Sequence, residues 1–149
     1  MQTTIARYLG EQTCATICCV DREGLPHCFN CFYAFDEHDQ QLYFKSQEGA
    51  MHSTLLHENG HVAGTILPDK LNKLMIQGIQ FQGVVVDDAE EQHHRAASCY
   101  YTRHPMALAK PGHVWIIQLE KVKMTENSLG FGKKITWERS GTDIENIVP

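Results

Sequence analysis

Two cysteines separated by two residues, Cys28 and Cys31, form the spacing used for zinc binding and for thiol redox chemistry. Both chemistries need a turn or a helix start that brings the thiols together. Here the motif Cys28-Phe29-Asn30-Cys31 lies in an apolar stretch typical of a β-strand, where positions three apart face opposite sides. No second Cys-x-x-Cys is present to complete a zinc site. We therefore predict structural thiols and no metal site.

Nine histidines are the second group of residues that could do chemistry. His52 and His57 are five apart and His93 and His94 are adjacent, whereas metal-ligating pairs on a helix are three or four apart. The pair at 93–94 is typical of a solvated helix face. His52 falls one turn into a short helix that follows a strand, where free backbone N–H groups attract anions. This predicts a phosphate contact for His52, with a surface or capping role as the alternative.

Common nucleotide-binding and hydrolase motifs are absent, since no phosphate-binding loop, dinucleotide fingerprint or nucleophile elbow occurs. The run from Gly130 to Lys134 is glycine-rich and basic, which alone indicates a flexible turn. Trp137 lies at strand spacing from Ile135 and favours a core or interface position. No residue stands out as a general base, so the catalytic residues stay unassigned.

Composition excludes several classes of protein. The 149 residues are 42% hydrophobic and 21% charged, which predicts one domain over residues 1–149 with a polar, loose tail from about Ser140. Apolar runs such as 84–86 and 114–117 are far shorter than the roughly 18 residues of a membrane span, and no signal peptide is recognisable. The net charge of -5 argues against a nucleic-acid partner. We expect a cytoplasmic protein with six free thiols, because disulfides are rare there.

Local patterns predict the order of helices and strands. Helical spacing of apolar residues indicates a first helix over 4–9, ended by Gly10. Two turns at 21–24 and 36–39 predict an antiparallel meander of the first three strands. Glycines 78 and 83 interrupt the fifth strand and suggest a bulge or a close approach. The predicted strands cover 13–20, 26–35, 41–44, 61–67, 74–86, 113–124 and 135–138, and further helices cover 49–58 and 88–104.

This pattern predicts a mainly β protein, a six- to seven-stranded antiparallel barrel with two or three helices packed outside it. Three stretches resemble the pyridoxamine 5'-phosphate oxidase-like split barrels that bind FMN: LYFKS (42–46), ENGHVAGTI (58–66) and GIQFQG (78–83). Three more resemble an uncharacterised bacterial branch of that superfamily: NCFYAFD (30–36), VAGT (62–65) and NSLGFGKK (127–134). The likeness runs from about residue 13 to residue 139.

The resemblance implies a split-barrel homodimer that holds one FMN in each of two clefts between the subunits. By position, Cys28, Phe29, Asn30 and Cys31 would run beside the isoalloxazine ring. Lys45 and Ser46 would lie near the ring and the ribityl chain, and the helix carrying His52 and Ser53 would aim its start at the phosphate. The partner subunit would contribute Gln80, Gln82, Lys133, Trp137 and Arg139.

One departure from the family pattern concerns the phosphate. Flavin-binding members place an Arg/Lys pair where this chain has Ala50 and Met51, and a basic residue near the position of Cys28. Losing two charge-assisted hydrogen bonds costs on the order of 3–6 kcal/mol. His52, Ser53, Thr54 or the lysines at 133 and 134 would have to replace them.

Three functions follow from these residues. The first is an FMN-dependent oxidoreductase of unassigned substrate. The second is a non-enzymatic ligand-binding or sensing homodimer of the same fold without flavin. The third is a metal- or thiol-based redox protein that uses Cys28, Cys31 and the histidines.

Overall fold

The computed structural model describes residues 1–87, 89–127, 132–139 and 145–146, and it is mainly β. Its α-helices are α1 (Thr3–Glu11), α2 (Met51–Glu58) and α3 (Glu90–Arg103), followed by a 3-10 helix, η1 (Pro105–Ala109). The strands are β1 (Cys14–Val20), β2 (Pro26–Asp36), β3 (Gln41–Ser46), β4 (His61–Ile66), β5 (Gln77–Val86), β6 (His113–Glu126), β7 (Lys134–Glu138) and β8 (Glu145–Asn146).

Six of these strands close into an antiparallel barrel. The hydrogen-bonded order is β3-β2-β1-β4-β5-β6, and β3 also pairs with β6 to complete the ring. The predicted meander of β1, β2 and β3 is confirmed, and so is the predicted barrel class. β7 pairs with β6 outside the ring, and the two residues of β8 pair with β7.

Strand β6 connects the barrel to β7. Its first half, 113–118, pairs with β3, and its second half, 121–125, pairs with β7. Along most of its length it also pairs with β5, with a register shift between Gln82 and Gly83. That shift confirms the bulge predicted at the second glycine of β5.

The main core fills the barrel. Alternate residues of the strands point inward, so that Ile17, Phe44 and Ile117 are almost fully buried. Helix α1 adds Ile5 and Leu9 to the same cluster. A second cluster lies under α3, where Tyr100 and Ala96 pack on outward-facing residues of β3 and β6.

Several predicted boundaries are wrong, among them the start of α2, at Met51 rather than residue 49, and the end of β6, at Glu126 rather than residue 124. Gly10 does not end α1, because its backbone stays helical and the helix continues to Glu11. The third strand extends beyond Phe44 to Ser46, because β6 pairs with it along its whole length. The fifth strand begins at Gln77 rather than at residue 74, since a loop precedes it.

The tail was predicted to be loose from residue 140. Two of its residues, Glu145 and Asn146, pair with Ile135 and Lys134 of β7. The other tail residues, like residues 128–131 of the glycine-rich run, lie outside the described part of the chain. None of the helices described is both long enough and apolar enough to span a membrane.

Candidate functional site

A groove of about 610 Å³ lies on the outer face of the barrel, across β1, β2, β4, β5, β6 and β7. We call it the outer groove. Its volume falls within the roughly 300–1,000 Å³ of small-molecule sites. Four of the predicted cofactor-binding residues line it: Cys28, Gln80, Gln82 and Trp137.

Strand alternation arranges the polar side chains of the outer groove. Along β5, Gln80 and Gln82 are exposed, whereas Ile79 and Phe81, which alternate with them, are buried. Gln80 lies opposite Thr65 of β4 on one side and Lys123 of β6 on the other. Gln82 lies opposite Ala63 and Lys121, so each amide has a lysine of β6 as its neighbour.

The floor of the outer groove is apolar. The side chains of Phe81, Val122 and Trp137 belong to the barrel core, and each is at most 5% exposed, so only their edges reach the groove. Gly64 lies opposite Phe81, and a Cβ there would collide with the Phe81 ring and come within 2.6 Å of the Thr16 carbonyl oxygen. The absence of a side chain at Gly64 lets the two strands and the ring pack closely.

Two lysines give the outer groove positive charge. Lys121 and Lys123 both line it and are both exposed on β6. The Lys121 ammonium lies 3.4 Å from a Glu138 carboxylate oxygen, in a pair in which both side chains are more than half exposed. Such an exposed pair contributes little stability and leaves the lysine available to an anionic ligand.

Four other predicted residues meet at the start of α2. Here Ser46 Oγ lies 2.5 Å from His52 Nε2 and 3.1 Å from Ser53 Oγ. The His52 ring stacks on the Phe29 ring, with centroids 3.9 Å apart and planes 12° apart. Ser53 Oγ also donates to the Gln47 carbonyl at 3.2 Å. We call Phe29, Ser46, His52 and Ser53 the α2 cluster.

The α2 cluster carries little positive charge. Burial lowers the pKa of His52, and the nearby His27 lowers it further, so both favour the neutral imidazole. Ala50 precedes the helix without a side-chain cap, and Met51 is 66% exposed. The cluster therefore offers hydrogen-bonding groups but no cation.

Lys45 points away from the α2 cluster. Its Nζ donates to the carbonyl oxygens of Ala107 at 2.8 Å and Lys110 at 2.6 Å, and lies 4.9 Å from the Tyr101 ring centroid. With Ser46 it lines a second cavity, of about 530 Å³, between β3, α3 and η1. The ammonium group thus holds η1 against the barrel.

The remaining predicted residues have other surroundings. Asn30 accepts a 2.7 Å hydrogen bond from Thr16 on the exposed face of β1 and β2. Cys31 faces the core, and burial raises the pKa of its thiol. The Lys133 carbonyl accepts a hydrogen bond from the Glu126 amide. The Arg139 guanidinium donates to the carbonyl oxygens of Leu119, Asp39 and Gln40.

Sequence reasoning missed the residues that β1, β4 and β6 contribute to the outer groove. Lys121 and Lys123 alternate with buried Val122 and Met124, a pattern that places both ammonium groups on one exposed strand face. That alternation was readable, but the pairing of β6 with β5 was not. Within the described ranges no three His, Cys, Asp or Glu side chains come together to hold a metal ion.

Solved structures of low sequence identity share this fold. A heme binding protein from Mycobacterium smegmatis superposes with a TM-score of 0.75 at 15% identity, over 89% of this chain and 56% of that one. An FAD-binding protein (mll6688) from Mesorhizobium loti gives a TM-score of 0.66 at 16% identity, over 83% and 94% of the two chains. The closed barrel with its added strand thus defines a protein of the split-barrel class.

No family model matches the sequence. Full-length relatives nevertheless identify the family. The UPF0306 protein YhbP of Escherichia coli (strain SMS-3-5 / SECEC) is 37% identical over 142 residues, which are 95% of this chain and 96% of the relative. The chain belongs to the UPF0306 family.

Proposed function

We propose that the chain is an FMN-binding protein related to the pyridoxamine 5'-phosphate oxidase-like split barrels, and that two copies share each FMN. One copy contributes its outer groove and the other its α2 cluster. The observation that carries this proposal is the division of the predicted residues between opposite faces of β2. Cys28 lines the outer groove, whereas its neighbour Phe29 packs on His52. A two-fold axis would bring both sets together twice.

The outer groove fits the ring of a flavin. It combines an apolar floor of Phe81 and Trp137 with a few polar groups, the usual lining of a small-molecule site. The amides of Gln80 and Gln82 can donate to and accept from ring heteroatoms. Two solved structures of the same fold are named as heme-binding and FAD-binding proteins, and both ligands are large and conjugated. This supports a ligand of the same class for the present chain.

The α2 cluster fits the phosphate only in part. Its hydroxyl groups and neutral imidazole can donate hydrogen bonds, but Ala50 and Met51 supply no charge. In the proposed dimer the exposed ammonium of Lys123 supplies that charge from the partner's outer groove. When bound, FMN supplies hydride-transfer chemistry, while the residues of this chain bind and orient it.

A non-enzymatic ligand-binding or sensing homodimer without flavin is the second candidate. The neutral start of α2 favours it, because a dianionic phosphate binds most strongly where cations converge. The two candidates share the outer groove and differ in its ligand, since the second holds another small molecule, or none, and no flavin.

Titration with FMN and with riboflavin, which lacks the phosphate, tests the proposal. We expect FMN to bind at least tenfold more tightly than riboflavin, to raise the Tm, and to bind to a dimer in sedimentation velocity. Lys123→Gln should remove most of the preference for FMN, whereas the matched variant of an exposed loop lysine, Lys70→Gln, should keep it. A monomer that binds neither ligand would refute the proposal. The same titration separates the two candidates, because only the first binds FMN.

A further inference from the structure

Cys18 and Cys28 lie directly opposite each other on β1 and β2. Both are on the exposed face of these strands and both line the outer groove. All six cysteines of the chain are free thiols in the structure. The opposition of these two is set by the tight turn that joins the strands.

The hydrogen-bond pattern determines how closely these thiols approach. Two hydrogen bonds between opposed residues flank the cysteine pair in the same strand register. The Tyr33 amide donates to the Thr13 carbonyl and the Asp21 amide donates to the Leu25 carbonyl, each at 3.0 Å. The register from Cys14 to Val20 has no bulge, so hydrogen-bonded pairs recur at the odd-numbered residues of β1. Cys18 and Cys28 therefore form a non-hydrogen-bonded pair.

That kind of pair suits a covalent bond between side chains. Directly opposed residues of a non-hydrogen-bonded pair have Cα atoms roughly 4.5 Å apart. Disulfides span Cα separations of about 4.4–6.8 Å. An S–S bond between Cys18 and Cys28 thus needs rotation of the two side chains with little movement of the strands.

The other cysteines have no such partner in the described ranges. Cys14 lies opposite Phe32, and Cys19 is 1% exposed and faces the core. Cys31 lies opposite Ala15, on the other face of β2 from Cys28. Of the cysteines on β1 and β2, Cys18 and Cys28 are the directly opposed pair.

We propose that Cys18 and Cys28 are a dithiol–disulfide site, oxidised reversibly by low-molecular-weight disulfides such as glutathione disulfide. The Cys28 thiolate attacks one sulfur of glutathione disulfide, which forms a mixed disulfide and releases one glutathione thiolate. Cys18 then loses its proton and attacks Cys28 Sγ, which releases the second glutathione. Two protein thiols are oxidised and one glutathione disulfide is reduced to two glutathiones.

Exposure and charge support this order of attack. Cys28 is exposed, whereas Cys18 is only partly so. Burial raises the pKa of the Cys18 thiol, and the adjacent Cys28 thiol adds to the increase. Because the thiolate is the nucleophile, Cys18 is the slower thiol to attack an external disulfide and the one placed to resolve the mixed disulfide.

Equilibration of the intact protein with glutathione and glutathione disulfide tests the site. After alkylation of the remaining thiols, intact mass and peptide mapping should reveal one intramolecular bond between Cys18 and Cys28, with four free thiols. Reduction with dithiothreitol should restore all six. The measurement needs no bound flavin, so it succeeds or fails separately from the proposed function.

Serine variants separate the pair from its neighbours. Cys18→Ser should stop the reaction at a stable mixed disulfide on Cys28, and Cys28→Ser should abolish the intramolecular bond. Cys14→Ser, an exposed position on the same face of β1, is the matched control and should behave as the parent chain. Circular dichroism establishes that each variant folds. Linkage of any other pair, or a parent chain that accumulates only the mixed disulfide, would overturn the proposal.

Discussion

The outer groove and the α2 cluster both contain predicted binding residues, but these differ in whether they already contact partners inside the protein. In the outer groove, Gln80 and Gln82 project from rigid strands into an open space. In the α2 cluster, His52 already stacks on Phe29 and bonds to Ser46. His52 and Ser46 thus have partners inside the protein, whereas the exposed amides of Gln80 and Gln82 face the groove, where a ligand can reach them. Substitutions in the two regions should therefore separate stability from binding.

The largest effect should come from the floor of the outer groove. Gly64→Ala places a methyl group against the Phe81 ring and 2.6 Å from the Thr16 carbonyl oxygen. Since Phe81 is 3% exposed and Thr16 contributes backbone, neither can move freely. We expect the free energy of unfolding to fall by about 3 kcal/mol, measured by urea denaturation.

Gly10→Ala is the matched control for that substitution. Gly10 lies in α1, where the added methyl would meet no atom within 4 Å beyond the neighbouring residues and backbone of its own helix, and alanine favours a helix by roughly 1 kcal/mol. An increase in the free energy of unfolding for Gly10→Ala, together with a decrease for Gly64→Ala, would show that crowding causes the decrease. Equal changes at both glycines would contradict the close packing of β4 on Phe81.

The next effect concerns the α2 cluster. His52→Ala removes a ring stack and a hydrogen bond, each of roughly 0.5–1.5 kcal/mol. We expect unfolding to become about 1–2 kcal/mol easier by denaturant titration. If His52 contacts the phosphate, as the sequence predicts, His52→Ala should also weaken FMN binding more than His93→Ala does. Equal FMN affinities in the two variants would leave His52 with a structural role alone.

Gln82→Ala should show the reverse behaviour. The side chain is exposed, so stability should change by less than about 0.5 kcal/mol. Loss of one hydrogen bond to the ring should weaken FMN by up to about tenfold, in an isothermal titration. A variant that unfolds more easily yet binds FMN normally would reverse the assignment of the two regions.

The smallest effect is a pH dependence. Burial lowers the pKa of His52 in the folded chain, so the unfolded chain takes up the proton first as the pH falls. The contribution of His52 to stability is present above the unfolded pKa of about 6.5 and is lost as the pH falls below it. Denaturation at pH 7.5 and 5.5 should show a smaller decrease for His52→Ala than for the parent chain. Identical decreases would exclude His52 as the source.

Local patterns predicted the elements well, because strand alternation and turn residues act over a few positions. They could not predict which strands pair across the barrel. The closure of β3 on β6 joins residues far apart in sequence, and the alignment of Lys123 with Gln80 depends on the pairing of β5 with β6 across α3. The opposition of Cys18 and Cys28 is different, since it follows from the single turn at 21–24 and could have been predicted. The Cys-x-x-Cys spacing pointed to the pair Cys28 and Cys31 instead.

The pairing of β6 with both β3 and β5 also constrains synthesis of the protein. β6 begins at His113, so more than a hundred residues must leave the ribosome before the barrel can close. Until then β3 and β5 each present an unpaired edge, the kind of surface that joins other chains. Translation that stalls before β6 therefore produces a fragment with two unpaired strand edges, which chaperones would have to shield from pairing with other chains.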